Sequence, residues 1–428
     1  VKRTAKSAIG LGAVGLALLT VTAPGAQAEP ASPRRTEAQI AAMDPTQRGE
    51  LLEPLRQLAD AVAAAGKSKQ PDTYAGVRID APNNVVHVYV TDRSRTAKLI
   101  EAARQTDAGI DTKKIAVEEV RTTLAALHDA RARLLAKSAA KSLPYEIHSV
   151  AVNAEASSLD VAVDAPAKAI AGRPKALGVD DVALNFIQGQ KIEPASWSDV
   201  KWHDSSPFIA GDVITNGGHY CSAGLPAVRK SDNVRVMVTA GHCFGNGERI
   251  YTGAGSDTLV RPLLRWSERP DRKPRGYPGM APNWDAETLI GADNSADVSE
   301  STAYAPVTSY AYSHNGDPDV CQSGAASCFM QQGTVCGIRV INDDVMFSLS
   351  NGWTARGVQG TRLPGNPWTV AHGDSGTMVY TKTGSTRQAR GVVSALSSPY
   401  QTNAGSYVYW TEATDIFNHF GLKLNPTT

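Results

Sequence analysis

All five cysteines of this chain, Cys221, Cys243, Cys321, Cys328 and Cys336, lie in its second half. The aromatic residues follow them: only Tyr74, Tyr89, Tyr145, Phe186, Trp197 and Trp202 precede Phe208. Covalent cross-links and large side chains are what compact β structures are built around. The first half must fold with no cysteine and few aromatic side chains. A length of 428 residues gives a prior of about two or three domains. With 43 basic against 42 acidic residues the formal charge is only +1, so the chain lacks the electrostatic footprint of a nucleic-acid-binding or anionic-lipid-binding protein. A 42% hydrophobic and 20% charged composition describes a globular chain, too apolar for global disorder.

Lys2, Arg3 and Lys6 precede an uncharged run from Ser7 to Ala28 that ends in Ala26-Gln27-Ala28. This is the arrangement of a secretory signal peptide, with cleavage expected after Ala28. A membrane anchor is the competing reading, but the apolar core from Ala8 to Val21 is short for a span and a small-residue cleavage site follows it. No later stretch is long and apolar enough to span. The expectation is a secreted, extracellular protein without stable membrane association, in a compartment where cysteines pair.

From Thr36 to Ala65 apolar residues such as Ile40, Leu51, Leu55, Leu58 and Val62 recur at helical spacing, with a break near Pro45. Val77 to Ile79 and Val85 to Val90 alternate on either side of Asp80-Ala-Pro-Asn-Asn84, a hairpin pattern. A helical pattern covers Thr96 to Ala140, and the hairpin then recurs in Ile147 to Val152 and Leu159 to Val163. This module carries no cysteine and no clustered His, Asp or Glu at ligand spacing, so no chemistry is expected of it. Beyond Pro207 the chain becomes glycine-rich, with short β-type runs at Val234 to Val238, Val335 to Ile341, Met378 to Tyr380 and Gly391 to Val393. An all-β sandwich or barrel is implied, closed by a helix over Thr411 to Phe420.

Three segments carry chemistry. In Gly373-Asp-Ser-Gly376 a tight glycine turn exposes a serine hydroxyl while neighbouring backbone N–H groups converge where an oxyanion would form. An ordinary turn has the same composition, so context must decide. In Val238-Thr-Ala-Gly-His-Cys243 a strand end presents His242, an imidazole able to act as the general base that a hydroxyl nucleophile needs at neutral pH. In Pro282-Asn-Trp-Asp285 the carboxylate of Asp285 is suited to orient that imidazole. Asp293 and Asp297 are rivals in the same region, but neither sits in a comparable segment.

The order His242, Asp285, Ser375 is the chain order of chymotrypsin-like enzymes, and TAGHC and GDSG resemble their hallmark sequences. Pro282-Asn-Trp-Asp285, Val320-Cys-Gln-Ser-Gly324 and Cys336-Gly337 are similar to segments of the streptogrisins, and the repeated strand, Asx/Pro turn, strand unit of the leader resembles the pro-region of the α-lytic protease and streptogrisin group. The resemblance implies two packed antiparallel β-barrels over 208–428, an α+β pro-region over 29–207 that aids folding and inhibits, and a signal peptide over 1–28. It further implies that Ser375 is the nucleophile, His242 the general base and acid, and Asp285 the orienter, with backbone N–H groups of Gly373 and Ser375 as the oxyanion hole. Ser394 would contact the catalytic aspartate, and Ser394, Ala395 and Leu396 would line the substrate by backbone pairing. Cys221 would pair with Cys243 and Cys321 with Cys336, each loop worth roughly 2 to 4 kcal/mol. Cys328 is left over, and its pairing with Cys321 or Cys336 stays open. No metal or organic cofactor is implied. The partners are a polypeptide substrate and the chain's own pro-region, with the enzyme a monomer processed between about Ser198 and Gly211.

The chain departs from the family pattern in places. Thr377 stands where many relatives carry a second glycine. Leu396 falls where a glycine commonly opens the specificity pocket, and Thr369 carries no charge, so the pocket is expected to take small or medium apolar P1 residues. His219, His314 and His372 read as solvated loop residues, and Arg265 to Arg275 as an exposed insertion. Two rival functions remain: an inactive homologue retained as a binding module, and an esterase using the same acyl-transfer chemistry.

Overall fold

A helix begins where the sequence breaks it. In this computed structural model, which describes residues 34–425 apart from several stretches, the longest being 165–178, 195–200, 254–265 and 269–283, Pro45 opens a long helix at a position where a missing N–H costs nothing. The signal segment 1–28 and Pro282-Asn283 lie outside the described residues. Helix α1 (Glu37–Ala41) starts on a capping box between Thr36 and Gln39, and α2 (Pro45–Lys69) follows. Strands β1 (Tyr74–Asp80) and β2 (Val85–Val90) form the first hairpin, with Asn83 donating to the Asp80 carboxylate in the turn. Leu52, Leu55, Leu58 and Val62 of α2 bury against Val77, Ile79, Val86 and Val88.

The helical pattern expected over Thr96 to Ala140 is interrupted. Helix α3 (Thr96–Thr106) ends at Asp107, and β3 (Ile115–Glu119) runs parallel to β2 before α4 (Leu124–Ala139) begins. Strands β4 (Ile147–Val152) and β5 (Leu159–Val163) form the second hairpin, and β6 (Leu184–Gln188) lies parallel to β5. Each copy of the repeat is therefore a hairpin extended by a parallel third strand. A two-residue strand, β7 (Glu193–Pro194), ends the leader.

The second half is mostly β. Its first sheets come from β8 (Phe208–Ala210), β9 (Val213–Thr215), β10 (Tyr220–Ser222), β11 (Pro226–Arg229), β12 (Arg235–Thr239), β13 (Tyr251–Thr252), β14 (Trp266–Glu268) and β15 (Glu287–Ile290). The remainder are β16 (Asn294–Ser299), β17 (Tyr304–Tyr310), β18 (Val320–Gln322), β19 (Val335–Ser348), β20 (Thr354–Arg362), β21 (Val370–Ala371), β22 (Met378–Thr383), β23 (Thr386–Gln401), β24 (Ala404–Glu412) and β25 (Leu422–Leu424). Helices α5 (Ala325–Phe329) and α6 (Ala413–His419) complete it, and Ile416 and Phe417 of α6 pack on Leu225, Val236 and Val238. Strand β14 falls inside the segment expected to be an exposed insertion and pairs with β15; the rest of that segment lies outside the described residues.

Arg34–Thr428 is one compact unit, and its two halves share a sheet: β4 pairs antiparallel with β19, Ala151 opposite Val345 and Val150 opposite Met346. Beside this seam three arginines of the leader pair with aspartates of the second half. Arg56, fully buried, donates from Nε and Nη2 to the Asp317 carboxylate at 2.7 and 2.9 Å. Arg48 pairs with Asp319, and Arg131 with Asp344. His314, expected in solvent, is buried with Nε2 2.7 Å from Asp60 of the leader, while His219 is exposed and His372 half-buried. The expectation for His314 fails because its partner lies 254 residues away, beyond any local pattern.

Candidate active site

Strand β12 ends at Thr239, and the turn that follows swings His242 toward the start of β15, where Asp285 sits. The aspartate holds the histidine at two points: Oδ1 accepts the His242 backbone N–H at 2.8 Å, and Oδ2 lies 2.7 Å from Nδ1. Nε2 is 2.9 Å from Ser375 Oγ. With Nδ1–H donating to the carboxylate, Nε2 is left as the acceptor for the serine hydroxyl. Burial pushes the Asp285 carboxyl up, but the neighbouring His242 and the hydrogen bonds from His242 and Ser394 outweigh it, holding the group below the usual carboxylate range. The Ser394 hydroxyl donates to Asp285 Oδ2. Asp293 instead pairs with Arg235, and Asp297 with Ser295, so neither rival carboxylate reaches the imidazole.

Ser375 is fully buried, not exposed as its glycine turn suggests, in a loop locked from several sides. Ser222 grips it twice: its N–H donates to the Ser375 carbonyl at 2.7 Å and its hydroxyl to the Gly373 carbonyl at 2.8 Å. Gly376 has φ +86°, and a Cβ there would lie 2.0 Å from Thr239 Oγ1 and 2.5 Å from the Ser222 carbonyl oxygen. Only glycine fits. Asp374 is fully buried and accepts from Ser327 N–H and hydroxyl, Gln322 Nε2 and Ala371 N–H. Burial pushes its carboxyl above the ordinary value against those donors. Nothing in the sequence gives Ser222, Gln322 or Ser327 this role; Gln322 lies in the streptogrisin-like Val320–Gly324 segment, and Ser222 follows a cysteine. Thr377 fits without displacing the loop, its N–H donating to the Asp374 carbonyl and its buried hydroxyl finding no partner among the described residues.

Ser394, Ala395 and Leu396 lie on β23, and the leader's Glu193–Pro194 pairs antiparallel with Leu396 and Ala395. Leu396 packs inward with Trp368, Val370, Val393 and Trp410. Thr369 is buried, its hydroxyl donating to the Gly405 carbonyl at 3.0 Å and its own carbonyl accepting from Gln322. Cys221 is joined to Cys243 beside His242, and Cys321 to Cys336; Cys328 is a free thiol that burial pushes up. The sulfurs near the imidazole are thus tied in a disulfide and offer no thiolate to a metal.

A mostly β half in which an aspartate, a histidine and a serine stand in one hydrogen-bonded line has the arrangement of the chymotrypsin-like serine proteases. No family model matches the chain. Streptogrisin-C of Streptomyces griseus is 27% identical to it over 372 residues, which is 86% of this chain and 68% of that protein. Among solved structures, the Nocardiopsis protease NAPase is 25% identical, covering 51% of this chain and 98% of its own, with a TM-score of 0.38. Thermobifida fusca protease A is 22% identical, covering 50% and 97%, with a TM-score of 0.36. Within the chymotrypsin-like class, this chain is a homologue of the streptogrisin and α-lytic protease group.

Proposed function

We propose that the chain is a secreted serine endopeptidase made as a zymogen, with residues 208–428 as two packed β-barrels and the leader up to about Pro207 as its pro-region. The observation that carries this reading is the unbroken line Asp285 Oδ2, His242, Ser375 Oγ. His242 Nε2 takes the proton of Ser375 as the oxygen attacks the peptide carbonyl, and Asp285 stabilises the imidazolium that results. The oxyanion is held by the N–H groups of Gly373 and Ser375, pre-aimed by the grip of Ser222 on their carbonyls. His242 then protonates the leaving amine, and water, deprotonated by the same imidazole, releases the acyl group. Every step uses side chains and backbone amides of this chain.

Substrate adds as a strand along Ser394 to Leu396. The leader's β7 supports this, because it already occupies that edge as a peptide would. With β7 in place the leader covers the site; its removal frees the strand. Leu396 and the uncharged Thr369 favour small or medium apolar P1 residues. Export follows from the signal-like segment 1–28, and the two disulfides suit an oxidising compartment.

The test is hydrolysis of a quenched peptide library, alongside simple esters, by the secreted wild type and Ser375→Ala. Cleavage after apolar residues that falls by at least about a thousandfold in the variant is expected. Ester cleavage without peptide cleavage would replace the peptidase by an esterase. No cleavage of either by folded protein would leave a binding module.

A further inference from the structure

Gln322 is fully buried at the end of β18, between Val335 of β19 and Val379 of β22, and the disulfide from Cys321 to Cys336 fixes the residue before it. Its side chain is used at both ends. Oε1 accepts the Gly324 N–H at 2.6 Å, and Nε2 lies 2.7 Å from Ser327 Oγ, 3.1 Å from the Thr369 carbonyl oxygen and 3.1 Å from Asp374 Oδ2. One amide thus ties together the turn into α5, the chain that leads to the Gly373–Gly376 loop, and the residue next to Ser375. A primary amide suits this place because it accepts at one end, offers two N–H bonds at the other, and carries no charge.

Asp374 is built around that neutrality. The Ser327 N–H donates to Oδ1 at 2.8 Å and the Ala371 N–H to Oδ2 at 2.8 Å; with the Ser327 hydroxyl and Gln322, these four donors are all uncharged. Gly324 closes the space beside the carboxylate, since a Cβ there would lie 2.1 Å from Asp374 Oδ1. The Asp374 N–H donates to the Ala371 carbonyl at 3.1 Å and its carbonyl accepts the Thr377 N–H at 2.9 Å, so the backbone on both sides of Ser375 is bonded to this one residue. Among the described residues, the titratable groups whose fields reach Asp374 are Lys201, held by Ser299 and Ser323, and the Cys328 thiol of α5.

We propose that Gln322 is a positioning residue for the nucleophile: by holding Asp374 and Thr369 with one neutral amide it fixes the Gly373 and Ser375 N–H groups where the oxyanion forms, and attack by Ser375 slows when the amide is lost. Gln322 acts through Asp374 and not on the substrate. This rests on the serine peptidase reading.

The experiment compares kcat and KM for a peptide substrate, per mole of folded protein, in the wild type, Gln322→Leu and Gln322→Glu, each secreted as the full chain. In Gln322→Leu kcat should fall about 10- to 100-fold with KM changed less than about threefold, since the Ser394 to Leu396 edge is untouched and Thr369 keeps the bonds from its N–H and hydroxyl to the Gly405 carbonyl. Gln322→Glu gives a readout that simple stability would not move. Two carboxyls about 3 Å apart share one proton, and that proton lets one donate to the other as the amide did. Its kcat should lie within about threefold of the wild type near pH 7 and drop by at least about tenfold toward pH 9, where the shared proton is lost and the like charges part, while the wild type holds its plateau. Lys201 and Cys328 titrate in both proteins, so the difference belongs to the new carboxyl. Unchanged kcat in folded Gln322→Leu, or a Gln322→Glu profile parallel to that of the wild type, overturns the proposal and leaves the peptidase standing. Wild type that cleaves no peptide overturns both. If Gln322→Leu does not fold, the pH profile of Gln322→Glu still decides.

Discussion

The leader and the second half are held together by different means. The leader has no cysteine; it packs an alanine- and leucine-rich helix on a three-stranded sheet and repeats a hairpin with a parallel third strand. The second half holds most of the buried aromatic side chains, including Trp410, Tyr380 and Phe347, and closes two loops with disulfides. Where they meet, the leader brings Arg48, Arg56 and Arg131 to Asp317, Asp319 and Asp344 of the second half, and Glu37 and Asp60 to Arg339 and His314. The reacting groups, by contrast, all come from one side. The leader therefore meets the second half through buried ion pairs and β pairing at two places, and on the proposed reading it contributes no reacting group.

That contrast breaks most sharply at Asp285. Asp285→Asn should lower kcat by about 10⁴-fold, by holding His242 in the wrong tautomer, while leaving the fit of the leader unchanged. Arg56→Met should do the opposite. It strands the fully buried Asp317, and breaking such a pair costs about 3 to 5 kcal/mol. Thermal unfolding of the Ser375→Ala precursor with and without the Arg56 change checks this; an undiminished transition would mean that the charges at the seam hold nothing.

A subtler test lies between the halves, at Asp212. Burial pushes its carboxyl up to about 7, the charge of Lys201 pulling the other way. An acid whose folded value exceeds its unfolded one favours the native state at low pH and withdraws that support as pH rises. Stability should thus decline between about pH 4 and pH 7, by on the order of 3 kcal/mol, and Asp212→Asn should flatten that slope. Denaturant melts across this range measure it, and an unaltered slope would count against the buried carboxyl. The smallest effect is expected at Thr377. Its buried hydroxyl has no partner among the described residues, so Thr377→Val should be neutral or stabilising by up to about 1 kcal/mol, and a loss of peptidase activity there would mean that the hydroxyl is needed.

The candidate site was legible because its parts carry local signatures. A serine in a glycine turn, a histidine at a strand end and an aspartate in chain order are visible in Gly373-Asp-Ser-Gly376, His242 and Asp285 without coordinates. Both hairpins were legible for the same reason, since alternation and turn residues are local. What stayed hidden depends on distant partners. Ile115 to Glu119 sits in a helix-compatible stretch and becomes a strand because β2 lies alongside. His314 is drawn inward by Asp60, and Lys201 by Ser299 and Ser323. Ser222, Gln322 and Ser327 support the Gly373–Gly376 loop from elements far away in sequence, and no spacing rule finds them.

The proposed function requires Ser375 to be an activated nucleophile once the leader is gone. Treating the secreted wild type and Ser375→Ala with a fluorophosphonate and mapping the adduct by mass spectrometry tests that directly. One adduct, on Ser375 of a processed wild-type fragment, with an unlabelled and uncut Ser375→Ala chain, is the predicted result. Folded wild type that remains uncut and takes up no probe would contradict it.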